Sequence, residues 1–315
     1  MRALLVCNPK ATTTSERARD VLVRALRSET ELDVEYTRRR GHAITLAREA
    51  RKGGADMVVA LGGDGTVNEV VNGLLHDGTG PDVPALAVVS GGSTNVFARA
   101  LGLPMDWAEG TGVILEAIRA GRSRQIGLGR ADDRYFTFCA GYGLDAEVIQ
   151  RVERARLRGR KATPLLYLQS IAGNYVFDRD SRLPRISLDQ PGADLEDHIS
   201  MAIVQNTAPW TYIGERAIDA NPEAHFDLGL DVMALRDMNV PSALRTMTQL
   251  LMGRREKGSD TPVGPHGKHV LRLHDLSEFT LSANSRIGFH VDGDFLGERD
   301  KVRFTAVSEA IRVVC

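Results

Sequence analysis

Two turns rich in glycine hold the residues whose types and spacing are best suited to chemistry. The first, "GGDGT" at 62–66, places one carboxylate, that of Asp64, among three glycines. The second, "GGSTN" at 91–95, follows the next apolar run along the chain. Glycine allows positive φ angles and close approach of the main chain to a phosphate, and a helix that starts at such a turn directs N–H groups at an anion. The two turns therefore predict a phosphate-binding site.

Asp64 stands where a phosphate loop usually carries a lysine. The pattern G-x-x-x-x-G-K-[ST] is absent, and G-x-G-x-x-G fails because Asn68 occupies its last position. Without a lysine, charge neutralisation falls to a metal, and a carboxylate can hold Mg²⁺ directly or through water. A plainer interpretation stays open, because Thr66 and Glu69 have the spacing of a helix capping box. Turn chemistry alone does not decide between the two.

The elements around these turns alternate between strands and helices as far as residue 121. A Thr13–Glu16 capping box predicts a helix through Leu26, and apolar spacing of three and four residues predicts a helix at 67–74. Further helices are predicted at 42–51 and from the second turn through 101. Strands are predicted at 3–7, 32–36, 57–61 and 85–89. This alternation is typical of a doubly wound α/β domain.

The pattern changes after residue 122, where short strand candidates dominate. They lie at 125–130, 135–140, 185–188, 199–205, 230–235, 269–273, 279–283 and 287–291, with helical patterns at 164–177 and 241–251. We expect an antiparallel second domain, a β-sandwich, over residues 123–299. The first domain is predicted at 1–122, and residues 300–315, with the apolar run 310–314, are candidates to complete it.

Composition excludes several other classes of protein. The 315 residues are 43% hydrophobic and 26% charged, with a net charge of −1, so no basic field indicates a nucleic-acid partner. The three cysteines stand far apart and favour reduced core residues of a cytoplasmic protein. No apolar stretch reaches the roughly 18 residues of a membrane span, and Asn8-Pro9 end the opening apolar run before a signal-peptide core. We expect lipid to be handled from the membrane surface.

Six segments, in order along the chain, resemble the lipid kinases that carry the diacylglycerol kinase catalytic domain, a family that includes bacterial diacylglycerol kinases and the sphingosine and ceramide kinases. The segments are "NPKAT" (8–12), "TRRRGHA" (37–43), "GGDGTVNEVVNGL" (62–74), "GGSTNVFARALGLP" (91–104), "GYGLDAEV" (141–148) and "HVDGD" (290–294). The resemblance implies an ATP site, with Mg²⁺, in a cleft between the two domains. It implies a neutral lipid acceptor along the second domain, with conversion of diacylglycerol to phosphatidic acid in phospholipid biosynthesis.

The resemblance also assigns roles to single residues. Asp64 would hold the metal and take part in catalysis. Asp294 matches the family's catalytic glutamate and would accept the proton of the acceptor hydroxyl, with a side chain shorter by one methylene; otherwise it is a polar residue after the Asp292-Gly293 hairpin signal. The implied nucleotide contacts are Asn8, Pro9, Lys10, Ala11, Thr12, Thr37, Gly62, Gly63, Asp64, Gly65, Thr66, Val67, Asn68, Gly92, Ser93, Thr94 and Asn95.

The chain departs from the family pattern at three places. Val96 and Gly127 stand where many members carry aspartate. A structural metal motif of two aspartates and a glycine is incomplete, since Asp227 is its nearest match and Leu228 takes the place of the metal carboxylate. Asp227 therefore remains a metal-ligand candidate, but one without the second carboxylate of the family motif. These departures leave open a relative that binds lipid or nucleotide without catalysis.

Two further interpretations concern partners and reaction class. The segment 151–161 has six basic residues and one acidic, and with the apolar stripe at 165–176 it predicts either a contact with anionic membrane on the inner face or a solvated helix followed by a core helix. A homodimer stays open. NAD kinases share the "GGDGT" signature, but the "GGSTNVFARALG" segment favours the lipid kinases.

Overall fold

The computed structural model describes residues 1–9, 11, 15–147, 149–150, 185–236, 240–255 and 262–315. Two compact units divide the chain: Met1–Leu128 with Ser308–Cys315, and Gly129–Val307. Lys10, Thr12, the basic and apolar segments at 151–161 and 165–176, and the helix predicted at 164–177 lie outside the described residues.

The first unit is an α/β fold with a parallel sheet, as the sequence predicts. Its strands are β1 (Arg2–Cys7), β2 (Glu31–Tyr36), β3 (Met57–Gly62) and β4 (Ala85–Ser90), in the order β4-β3-β1-β2. Its helices are α1 (Glu16–Arg27), α2 (His42–Lys52), α3 (Asp64–Leu74), α4 (Val96–Ala100) and α5 (Trp107–Ala120).

Burial explains why these segments form a sheet with helices packed against it. Every residue of β3 and β4 is buried, which is typical of parallel strands covered on both faces. Helix α1 buries Ala18, Leu22 and Leu26, whose spacing of four residues places them on one face. Helix α5 was not predicted, although Asp106 caps its start by accepting hydrogen bonds from two main-chain N–H groups.

Both capping boxes that the sequence suggests are wrong. Helix α1 begins at Glu16, and Ser15 is the N-cap, accepting a hydrogen bond of 3.2 Å from the Ala18 N–H. Helix α3 begins at Asp64, two residues before the predicted capping threonine. The Glu69 carboxylate instead accepts hydrogen bonds from the N–H groups of Gly41 (2.7 Å) and Ala43 (3.1 Å), at the start of α2. It therefore caps a neighbouring helix, which its sequence spacing does not reveal.

The second unit is rich in strands and mainly antiparallel. The chain enters it within β5 (Arg124–Ala131) and leaves it within β17 (Asp294–Val313). The strands between are β6 (Arg134–Phe136), β7 (Cys139–Gly143), β8 (Ile186–Asp189), β9 (Glu196–Gln205), β10 (Thr211–Ile213), β11 (Arg216–Ile218), β12 (Leu230–Arg236), β13 (Arg254–Arg255), β14 (Pro262–Val263), β15 (Val270–Leu276) and β16 (Glu278–Val291). Residues 144–147 and 149–150 are helical, and helix α6 covers Val240–Met252.

Pairing within this unit follows the order β15-β12-β9-β7-β16-β17, with β8 joined to both β16 and β9. Aromatic side chains fill its core, where the rings of Phe279 and Phe304 stack at 5.1 Å and Phe136 meets Phe304 edge-on. The single strand predicted at 135–140 is two strands, and the two predicted at 279–283 and 287–291 are one, with a register shift between Ser282 and Ile287. The sandwich arrangement stays a prediction.

No helix in the described part of the chain is long and apolar enough to cross a bilayer.

Candidate active site

The carboxyl ends of the parallel strands bring the predicted nucleotide-binding segments together. The N–H of Thr37, after β2, donates to the Cys7 carbonyl at 2.9 Å, and the N–H of Asn8, after β1, donates to the Leu61 carbonyl at 3.0 Å. The N–H of Gly91, after β4, donates to the Gly62 carbonyl at 2.9 Å. These bonds continue the sheet ladder past the strand ends, where ligands bind in open α/β sheets. The residues that follow four strands thus line one edge.

The two glycine turns pack directly against each other. A Cβ atom on Gly92 would lie 2.6 Å from the Gly63 Cα, and one on Gly91 would lie 2.9 Å from the Gly62 Cα. On Gly62 it would lie 2.6 Å from the Thr66 Cβ. The predicted positive φ angles are wrong: Gly63 has φ −89°, and neither Gly62 nor Gly65 is in the left-handed region. Close contact with the facing main chain, rather than backbone conformation, therefore requires Gly91 and Gly92, and contact with the Thr66 side chain requires Gly62.

Helix α3 starts inside this packed region with Asp64 as its first residue. Its N-cap, Gly63, has no side chain to accept the first N–H groups. Asp64 turns one carboxylate oxygen, Oδ1, toward the start of α4, where it accepts a hydrogen bond of 3.1 Å from the Phe97 N–H. Asp64 therefore ties the first turn of α3 to that of α4. This structural role was not foreseen.

An anion fits the start of α3 because the helix dipole is positive there and no N-cap side chain covers it. Asp64 would offer a carboxylate oxygen to a divalent cation at this point, and Mg²⁺ commonly takes one or two carboxylates together with phosphate oxygens and water. Gly63, Asp64, Gly65 and Thr94 are partly exposed, so they are open to a ligand.

Two asparagines fix the loops around this edge. Asn95 is in the left-handed conformation (φ 47°) and 3% exposed. Its Oδ1 accepts from the Gly92 N–H at 2.9 Å, while its Nδ2 donates to the Gly92 carbonyl at 2.8 Å. The Asn8 Nδ2 donates to the Thr66 Oγ1 at 3.1 Å, which joins the loop after β1 to α3. Both side chains hold neighbouring loops in place.

The other predicted nucleotide contacts differ in exposure. Val67 is 2% exposed and lies on the buried face of α3, and the Asn68 Oδ1 accepts a hydrogen bond from the Asn72 Nδ2. Burial accounts for the valine, and this hydrogen bond accounts for the asparagine. Pro9 and Ser93 are exposed, whereas Ala11 and Thr37 are half-buried. The role of each as a nucleotide contact stays a prediction.

In the second unit, a two-residue turn carries Asp294. Asp292 (φ 47°) and Gly293 (φ 79°) form the loop, and Val291 pairs with Asp294 across it. Positive φ at both loop positions identifies the type I′ turn that an Asp-Gly pair favours, so the predicted hairpin is present. Asp294, half-buried, is the first residue of β17.

A buried contact between a histidine and an aspartate lies next to this hairpin and was not predicted. The His290 Nε2 and the Asp145 Oδ2 are 2.6 Å apart, and the two side chains are 2% and 6% exposed. They fill the space beside Gly141, where a Cβ would lie 2.1 Å from the Asp145 Oδ2 and 2.2 Å from the His290 Nε2. Both residues belong to segments that resemble family motifs, which is the only signal the sequence offered.

Asp227 has a partner of its own. It is exposed, and its carboxylate lies 3.4 Å from the His225 Nδ1. Among the described residues, one group of potential metal ligands lies within 4.8 Å, and it comprises Glu223, Asp231 and His274, without Asp227. Its charges are already paired. The His274 Nδ1 lies 2.9 Å from both Asp231 oxygens, which raises the pKa of His274, and Arg272 pairs with Glu223.

The first unit thus has a parallel sheet with two interlocked glycine turns at its carboxyl edge, and the second unit is rich in strands. Residues 2–131 match the family model described as the diacylglycerol kinase catalytic domain. The resemblance seen in the sequence is thereby confirmed, and over residues 2–131 the chain is similar to the lipid kinases that carry this domain.

Curated relatives agree with the match. The chain is 36% identical over 129 residues to a diacylglycerol kinase of Staphylococcus haemolyticus, covering 41% of this chain and 37% of that protein. It is 28% identical over 258 residues to a diacylglycerol kinase of Bacillus subtilis, covering 81% and 79%. It is 37% identical over 144 residues to a probable lipid kinase YegS-like of Chromohalobacter salexigens, covering 46% and 44%. The match thus spans less than half the length of the first and third relatives.

Solved structures show the same fold. A putative diacylglycerol kinase from Bacillus anthracis superposes with a TM-score of 0.75 at 18% identity, covering 99% of this chain and 96% of that one.

Proposed function

We propose that the protein is an ATP-dependent lipid kinase that transfers the γ-phosphoryl group of ATP to a hydroxyl of a neutral lipid, converting diacylglycerol to phosphatidic acid. It would act as a cytoplasmic protein at the membrane surface. One observation carries the proposal: Asn8, Thr37, the turn at 62–66 and the turn at 91–95 meet at the carboxyl edge of one parallel sheet, where α3 begins without a side-chain cap. The named activity of the relatives supports the choice of acceptor.

Phosphoryl transfer depends on positioning and on neutralising charge more than on covalent chemistry. In this proposal the N–H groups at the start of α3 bind the terminal phosphates, and Asp64 is the protein ligand of Mg²⁺. The metal, when bound, neutralises the negative charge that the phosphate oxygens carry. Asn8 and Asn95 keep the surrounding loops in the geometry that the phosphates require.

Asp294 is the proposed general base. The proton of the acceptor hydroxyl passes to its carboxylate as the hydroxyl oxygen bonds to the γ-phosphorus and the bond to ADP breaks. Asp294 is the first residue of β17, directly after a two-residue turn, and sites built on strands are positioned more precisely than sites on loops.

The test is transfer of labelled phosphate from ATP to a panel of diacylglycerol, monoacylglycerol, ceramide and sphingosine in mixed micelles, with NAD as a separate acceptor. We expect labelled phosphatidic acid. Asp294→Asn should lower kcat by about 10²–10⁴-fold, the usual contribution of a general base. Asp64→Asn should lower kcat and weaken the dependence of the rate on Mg²⁺.

Other outcomes would overturn parts of the proposal. Label in NAD and in no lipid would move the chain to the NAD kinases. Nucleotide binding without transfer to any acceptor would make it a non-catalytic relative. Asp294→Glu, which restores the residue type of the family, serves as the matched variant and should retain activity; near wild-type turnover of Asp294→Asn would remove Asp294 as the base.

A further inference from the structure

The turn that carries Asp294 is attached to the unit by the carboxylate of Asp292. Asp292 is 5% exposed, although it lies in the two-residue turn of a hairpin. Its Oδ2 accepts from the Thr137 N–H at 2.8 Å and from the Thr137 Oγ1 at 2.9 Å. Its Oδ1 accepts from the N–H groups of Phe138 and Cys139, both at 3.1 Å.

Four donors on one buried carboxylate require both oxygens to be acceptors. A carboxylate offers about four acceptor sites, whereas an amide replaces one oxygen with a donor group. Three consecutive main-chain N–H groups that converge on one anion form a concave anion site. A type I′ turn needs positive φ at Asp292 and nothing more, and asparagine adopts it equally well. The turn therefore does not explain the carboxylate, but the contact with residues 137–139 does.

Asn206 holds residues 137–139 through their carbonyl groups. The Asn206 Nδ2 donates to the Thr137 carbonyl at 3.0 Å, and the Asn206 N–H donates to the Phe138 carbonyl at 2.9 Å. The Asp292 N–H donates to the Cys139 carbonyl at 2.8 Å, so the contact runs in both directions. Asp294 is two residues away on the same tight turn, and its position follows that of Asp292.

We propose that Asp292 is a positioning residue for the reaction: its carboxylate fixes the hairpin tip so that Asp294 is held where it accepts the proton. This inference rests on the proposed function, because it assigns Asp294 as the base. Asp292 itself touches neither substrate nor reacting atoms in this scheme and acts only through Asp294.

The test is a double-mutant cycle of Asp292→Asn, Asp294→Asn and the double variant. Asparagine keeps the turn, so the substitution isolates the loss of an acceptor oxygen; intact mass must be checked, since an Asn-Gly pair can deamidate. Asp132→Asn is the matched control. Asp132 also has positive φ (52°) in a two-residue turn, between β5 and β6, but its carboxylate is exposed and accepts from the Arg303 N–H.

We expect Asp292→Asn to lower kcat by about 10- to 100-fold, the scale of a misplaced catalytic group, with KM for ATP within about twofold of wild type. In the Asp294→Asn background the same change should not lower kcat further, although it should lower the unfolding midpoint equally in both backgrounds. Asp132→Asn should leave kcat unchanged. A purely structural role would reduce kcat by the same factor in both backgrounds.

The outcomes distinguish a failure of the positioning role of Asp292 from a failure of the proposed kinase function. Equal losses in both backgrounds, or a wild-type kcat for Asp292→Asn, overturn the inference and leave the kinase assignment standing. A wild type that phosphorylates no lipid overturns the proposed function, and amide hydrogen exchange then decides the positioning claim. Exchange at Asp294 and Phe295 should accelerate in Asp292→Asn and not in Asp132→Asn; unchanged exchange refutes it.

Discussion

Gly92→Ala is the sharpest perturbation of the packed glycine turns. The added Cβ would lie 2.6 Å from the Gly63 Cα and 2.8 Å from the Asn95 Oδ1. Carbon atoms in contact prefer about 3.5 Å or more, so the two main chains must separate by roughly 0.9 Å. Because the obstacle is main chain rather than the end of a flexible side chain, neither turn can yield without moving its strand end.

The size of the effect follows from two contributions. Overpacking that shifts a main chain costs about 1–3 kcal/mol. Separation of the turns also weakens the hydrogen bond between Gly91 and Gly62, worth about 0.5–1.5 kcal/mol. The free energy of unfolding of the first unit should therefore fall by about 1.5–4.5 kcal/mol.

Urea unfolding without nucleotide measures this change directly. In a Trp210→Phe background the remaining tryptophan, Trp107, lies in α5 and packs against the core of the first unit, so its fluorescence reports that unit. Gly112→Ala is the matched control, since it lies in the same unit, inside a helix, with no atom within 4 Å of the added Cβ. It should raise stability by about 0.5–1 kcal/mol, the usual gain of alanine over glycine in a helix.

The reasoning is refuted if Gly92→Ala unfolds at the wild-type midpoint, or if the two variants shift the midpoint in the same direction. A loss of stability that appears only when nucleotide is present would instead mean that the glycine is needed for ligand approach.

Two more predictions follow from single carboxylates. Glu69→Gln keeps the size of the side chain but loses the charge that accepts hydrogen bonds at the start of α2, so the unfolding free energy should fall by about 1–2 kcal/mol, measured with the same fluorescence assay; an unchanged midpoint would contradict the capping role. Burial raises the pKa of Asp219, so its ionised form destabilises the fold: stability is fully present below the unfolded pKa of about 3.9 and is lost as pH rises through the higher folded pKa. Asp219→Asn should therefore be more stable than wild type at neutral pH, with the difference shrinking in acid; a difference independent of pH would exclude this cause.

The sequence predicted the first unit well because its signals are local. Continuous apolar runs marked β3 and β4, and apolar spacing marked α3. The order of motifs indicated the family and located both glycine turns. Helix α5 was missed although Asp106 and the left-handed Gly121 mark its ends.

The contacts that hold the site could not be predicted, because they join residues far apart in the chain. Glu69 bonds to a helix 26 to 28 residues earlier, and Asp292 bonds to main chain more than 150 residues away. A carboxylate in a turn looks the same in sequence whether it faces water or three N–H groups. The positive φ angles predicted for the first glycine turn proved wrong, and a pattern cannot show which main chain lies opposite a glycine.

The first unit takes its last pieces from the far end of the sequence. Val313 pairs in parallel with Leu86, and Val314 is buried among the apolar side chains of that unit. During synthesis on the ribosome, β4 therefore lacks its neighbouring strand, the end of β17, until residues 308–315 have emerged. The growing chain can therefore complete the first unit only after the whole of the intervening unit has been made.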